Sequence, residues 1–139
     1  MSASPARSRR RLASPLLGER GAAAVEFALV VPLLLMLLVG IVEFSKAFNA
    51  QATLSAAARE AARTMTLAND VTQARTAAQT AAGALGLTTS SVSIIPATCA
   101  ADGSTTVKVT ITYHQTFVAG LLGSAGVDLT GTAAMRCAR

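Results

Sequence analysis

The sequence predicts an α+β protein: a long N-terminal transmembrane helix that extends outside the membrane, a second short helix, and a small three-stranded antiparallel sheet. Three observations point there. Residues 22–42 form an apolar run in which Glu26 is the only charge. Apolar and small residues keep recurring at helical spacing beyond that run. After Leu87 the composition changes from alanine-rich to rich in Thr, Val, Ile and Ser, the mark of a switch to strands. With 139 residues, 52% of them hydrophobic and 14% charged, and a mean hydropathy of +0.50, the chain has room for one small domain and suits a membrane-anchored protein better than a soluble one.

The basic character is local. Arg7, Arg9, Arg10, Arg11 and Arg20 stand against Glu19 in residues 1–20, which carry net +4 of the chain's +5. This Ser/Pro/Arg-rich stretch has no periodic apolar pattern, so residues 1–21 read as a disordered cytoplasmic leader or tail. Arginines placed just before an apolar span act as a topology signal that stays in the cytoplasm, a better reading than a nucleic-acid site.

Residues 22–42 make one transmembrane helix about 31 Å long at the standard rise, close to the thickness of a hydrocarbon core. Pro32 removes one backbone donor inside it, which membrane helices tolerate. Residues 43–139 then form an α+β domain outside the cytoplasm. Phe44, Phe48, Gln51, Leu54, Ala58, Ala61, Ala62 and Met65 recur at spacings of three and four, so the first helix continues to about Thr66. Arg59, Glu60 and Arg63 fall on other faces, as a solvated side or an intersubunit charge pair. The small residues Ala56, Ala57, Ala58, Ala61 and Ala62 admit two readings, close approach of a neighbouring subunit's helix or packing against this chain's own sheet and second helix.

The segment Leu67–Asp70 interrupts the helix, with Asn69 or Asp70 suited to cap a second one over 71–85 that ends at Gly83 and Gly86. "SVSII" is a short strand. "TTVKVTITYHQ" alternates Val107, Val109, Ile111 and Tyr113 with Lys108, Thr110, Thr112 and His114, and "VDLTGTAAMRC" repeats the alternation through Val127, Leu129, Ala133 and Met135 to Cys137. The sheet is expected to pack on the outer half of the long helix. The intervening "TFVAGLLGSAG" offers Phe117, Val118, Leu121 and Leu122 as a cover for the core or a partner-binding patch.

Cys99 and Cys137 are the only cysteines. An even count outside the cytoplasm, with no nearby histidine or second cysteine pair, favours a disulfide over a metal site.

A carboxylate inside an apolar span needs a reason, since burial at mid-membrane costs on the order of 2.5–3.5 kcal/mol. One reading leaves Glu26 near the cytoplasmic headgroups without a special partner. Another begins upstream, at the polar junction Arg20-Gly21. A cut after Gly21 would give Ala22 a new α-ammonium one helical turn from Glu26, and the carboxylate would complement the positive end of the helix dipole. In an assembly Glu26 could reach a neighbouring helix's terminus instead.

The junction Gly21-Ala22-Ala23-Ala24-Val25-Glu26 resembles the cleavage motif of type IV prepilins and pseudopilins, in which a prepilin peptidase cuts after the glycine and N-methylates the new terminus. More specifically, "RGAAAVEFALVVPLLLMLLVGIVEFSKAFNAQATLSAAAREAAR" resembles the TadE-like proteins of tight-adherence pilus systems, as do "VTITYHQTFVAGLLG" and "VDLTGTAAMRC" near the C-terminus. Position 22 is Ala where many type IV prepilins have Phe. The resemblance implies a minor pilin-like subunit of the bacterial cytoplasmic (inner) membrane, with Gly21 and Ala22 as the processing site and Glu26 serving recognition or assembly. It implies a prepilin peptidase and other pilus-assembly subunits or pilins as partners.

Catalysis, cofactors, nucleic acid and small-molecule substrates find no support. His114 is the lone histidine, on a strand's polar face with no carboxylate beside it in sequence, and phosphate-loop, HExxH and GxSxG patterns are missing. Two alternatives use the same features differently. An uncleaved single-span envelope scaffold differs only at Gly21. A secreted binding module would instead be released by a cut after Ala52, leaving Glu26 unexplained after an apolar run longer than a signal peptide requires.

Overall fold

The computed structural model describes residues 18–117 and 126–137. The basic stretch up to residue 17 and the loop carrying Val118, Leu121 and Leu122 lie outside the described residues. By contacts the chain divides into two units, Met1–Leu38 and Val39–Arg139.

Helix α1 is Gly18–Ala68 and contains Pro32. Alanine and leucine dominate it, the two best helix formers. In the first unit its described side chains from Gly21 to Leu38 are exposed, with Val31 half-buried. The helix stops at Asn69, which adopts a left-handed φ of 49° and donates its N–H to Met65 O at 2.9 Å, the geometry of a left-handed C-terminal stop. Asp70 is then the cap of α2 (Val71–Ala81), its carboxylate accepting from the N–H groups of Thr72 and Gln73. The expected end at Leu85 is met by a tightened turn rather than by α-helix: Gly83–Leu85 is a 3₁₀ segment. Gly86 follows at φ 60°, and the shorter hydrogen-bonded loop satisfies carbonyls at a helix end.

Strands β1 (Val92–Ile95), β2 (Thr106–Thr116) and β3 (Gly126–Arg136) form one antiparallel sheet in the order β1-β2-β3. The fold is α+β, with the elements the sequence predicts. The inward parity of β2 is as expected: Val107, Val109 and Ile111 are fully buried and Tyr113 is half-buried. In β3 Leu129, Ala133 and Met135 are half-buried, but Val127 at the end of the strand is exposed.

The core joins Leu54, Ala57, Ala58, Ala61, Ala62 and Met65 of α1 to Ala74, Ala78 and Ala82 of α2 and the inner face of the sheet. This decides the small-residue question. Ala57, Ala58, Ala61 and Ala62 are fully buried within this chain, and Ala56 alone of that group is exposed. Small side chains let α1 approach closely enough for Gly131 of β3 to sit against it; a Cβ at Gly131 would come within 2.5 Å of the Leu54 carbonyl group.

The aromatic start of the predicted stripe is a correction. Phe44 and Phe48 are 73% and 69% exposed. From Leu54 on, the predicted residues Leu54, Ala58, Ala61, Ala62 and Met65 are buried; before it the covered side runs through Glu43, Ala47 and Ala50, each one residue, or about 100° around the helix, ahead of Phe44, Phe48 and Gln51.

Candidate functional site

Gly21, Ala22 and Glu26 lie in the exposed first part of α1. Ala22 and Glu26 are four residues apart on a continuous helix, and therefore on one face. The fold supplies no reason for glycine at position 21: it is helical, its φ is not positive, and a Cβ there would meet nothing within 4 Å. Gly40 is equally open. In a helix interior glycine costs about 1 kcal/mol relative to alanine, so at Gly21 the residue type answers to something other than this chain's packing.

Downstream the apolar side chains are exposed. Phe27, Leu29, Leu33 and Leu37 are all exposed, and the most apolar stretch of α1 contains no buried residue. Such a surface is costly in water and neutral in hydrocarbon. The helix is long and apolar enough to cross a membrane.

At the far end of the second unit, Cys99 and Cys137 are joined as a disulfide. Its surroundings are ordered by short polar contacts. Asn69 Oδ1 accepts the Cys99 N–H at 2.7 Å, and the Cys137 N–H reaches Thr105 O at 2.9 Å. Asp102 accepts from the Ser104 N–H and hydroxyl at 2.9 and 2.7 Å, and these bonds, the backbone one first, hold its carboxyl below the ordinary range. Asp70 is likewise lowered, chiefly by the N–H of Gln73 and then by that of Thr72.

His114 has a partner that linear sequence did not reveal. Its Nδ1 lies 2.6 Å from Asp128 Oδ1, because the β2–β3 register sets the two residues opposite each other. In the sequence the only signal is that His114 and Asp128 occupy strands that alternate alike, and the register that sets them opposite is a property of the folded sheet. Both side chains are more than half exposed, and a surface pair of this kind contributes little to stability. Arg59, Glu60 and Arg63 are exposed, as both a solvated side and an intersubunit charge pair require. An open groove of about 530 Å³ runs between α1 and α2, lined by Glu60, Thr64, Thr72, Gln73, Thr76 and Thr80 among others. Among the described residues there is no group of three His, Cys, Asp or Glu side chains able to hold a metal ion.

A cut after Ala52 would divide a packed unit. Ala50 is buried and Gln51 donates from Nε2 to Thr130 O at 2.9 Å, so the domain begins before that position.

One long apolar N-terminal helix followed by a disulfide-closed helix-and-sheet unit fits a single-pass membrane protein. The family model described as TadE-like protein matches residues 21–63, the stretch of α1 in which the sequence resembles that family. No curated protein matches the chain, and no solved structure does.

Proposed function

We propose that the protein is a minor pilin-like membrane subunit that takes part in assembling or anchoring a tight-adherence, type IV-like pilus, after a prepilin peptidase cuts it between Gly21 and Ala22. The observation that carries this reading is the match that begins at Gly21 and runs through Glu26 and the apolar span, over a helix that gives no packing reason for either residue. Cleavage leaves the α-ammonium of Ala22 within one turn of the Glu26 carboxylate, either in the same chain or on a neighbouring helix. Arginines on the cytoplasmic side orient the span in the inner membrane with the second unit outside. The Cys99–Cys137 bridge suits that placement, since disulfides persist in oxidising compartments. The protein works by protein–protein contact with the peptidase, pilins and other assembly subunits, not by catalysis.

The test is intact-mass and N-terminal peptide mass spectrometry of the protein from its native membranes, with and without Gly21→Ala. A terminus at Ala22, lost in the variant, is the expected result. A terminus at Met1 or Ser2 would leave an uncleaved envelope scaffold, and one at Thr53 would replace both with a secreted module.

A further inference from the structure

The second unit has two chemically different ends, and contacts along α1 show which is which. Thr66 Oγ1 lies 3.7 Å from Met135 Sδ, Leu54 is against Gly131, and Gln51 bonds Thr130. Moving N-terminally along α1 from Thr66 to Gln51 therefore follows β3 from Met135 to Thr130. At about 1.5 Å per helical residue and 3.4 Å per strand residue, the remaining residues of β3 carry Asp128 to the level of Lys46–Phe48 and Gly126 to the level of Glu43. Thr116, paired with Gly126, lies at the same level.

Burial along α1 agrees. The Glu43 side chain is only 12% exposed and Ala47 is half-buried, so protein covers the helix down to the residue that follows Val42. Phe44 and Phe48 flank this covered strip and remain exposed, while Val39, Ile41 and Val42 of the same unit are exposed immediately before them.

We infer that this end of the domain rests on the lipid surface: the bilayer boundary falls at Phe44–Phe48, whose rings sit among the headgroups, and the end of the β2–β3 ladder formed by Thr116 and Gly126 touches the same layer. Aromatic side chains favour that boundary because one part of the region is apolar and the other wet. Ionisable side chains at this level have polar partners, Lys46 with Glu43 at 3.6 Å and Asp128 Oδ1 with His114 Nδ1 at 2.6 Å, and a partner reduces the cost of bringing a carboxylate or ammonium toward a low-dielectric layer. At the opposite end Arg59, Arg63, Asp102 and Arg136 are exposed to solvent. The polarity of the unit thus runs along α1. The inference rests on the single-span reading and is independent of cleavage at Gly21.

The chain has no tryptophan, so single-tryptophan variants report depth directly. Phe48→Trp, Thr116→Trp, Leu35→Trp and Leu67→Trp are each made in the full chain, at exposed positions, and reconstituted in phosphatidylcholine vesicles with or without bromine on the acyl chains. Lipid brominated near the headgroup should quench Phe48→Trp and Thr116→Trp more than lipid brominated near the chain ends. Leu35→Trp should show the reverse order, and Leu67→Trp should lose no emission. Quenching of Leu35→Trp without quenching of Thr116→Trp would overturn the inference while leaving the span intact. An unquenched Leu35→Trp would remove the span and the inference with it.

Discussion

Gly131 shows how one residue sets a packing distance. Any side chain there would meet the Leu54 carbonyl group at 2.5 Å, and backbone cannot yield as a flexible side chain can. Gly131→Ala should therefore destabilise the domain by about 1–3 kcal/mol, the usual range for overpacking. Chemical denaturation in detergent followed by far-UV circular dichroism measures it, and an unchanged midpoint would mean that α1 can lift from β3 freely. Asp70 makes a different kind of contribution. Its carboxyl is lowered in the folded chain by N–H donors at the start of α2, so its stabilisation is present above the ordinary value of 3.8 and fades as pH falls through the lower folded value. Asp70→Ala should melt below the wild type at neutral pH, and the gap should close once the pH drops below that window. A gap that stayed constant with pH would show that the charge is not what caps α2.

Among the elements, the second unit relies on a covalent closure as well as on its core. Helix α2 is tied to the connection that follows it by Gln79 Nε2 donating to Leu87 O at 3.0 Å, and to β1 by Arg75 Nε donating to Val92 O at 3.4 Å. The long β2–β3 ladder is anchored at its open end by the bridge from Cys137 to Cys99. With a sequence separation of 38, the chain-entropy account assigns the bridge about 4 kcal/mol. The double variant Cys99→Ser/Cys137→Ser should lose stability of that order in equilibrium unfolding. A loss below about 1 kcal/mol would mean that the unfolded chain is already compact enough to make closure nearly free. The same elements show why some expectations held and others moved. Alternation in β2 was legible because one face of a sheet is buried and the side-chain period is two. The covered side of α1 held from Leu54 to Met65 and shifted by one residue only before it, because three-and-four spacing also fits Glu43, Ala47 and Ala50, and only the position of the sheet selects between the two sets.

For the molecule as a whole, orientation is the property on which the proposed role depends. A reporter enzyme that needs disulfides for activity, joined after Arg139, should be active in cells, and the same reporter joined before Met1 should be inactive. The opposite pattern would invert the topology drawn from the arginines. This experiment does not depend on processing at Gly21, so it separates where the domain lies from how the chain matures.

By itself the sequence determined the order of elements, the apolar span, the break at Asn69-Asp70, the inward parity of the strands and the family resemblance over α1. These are local properties, written in periodicity, capping residues and composition within a few turns of chain. Tertiary structure decided the rest. It buried Ala57, Ala58, Ala61 and Ala62 inside this chain, brought Asp128 to His114 and turned Phe44 and Phe48 outward. Each of those outcomes requires residues far apart in the chain to share a level along α1, and that level is set by strand register and by how closely a glycine in β3 lets the helix approach.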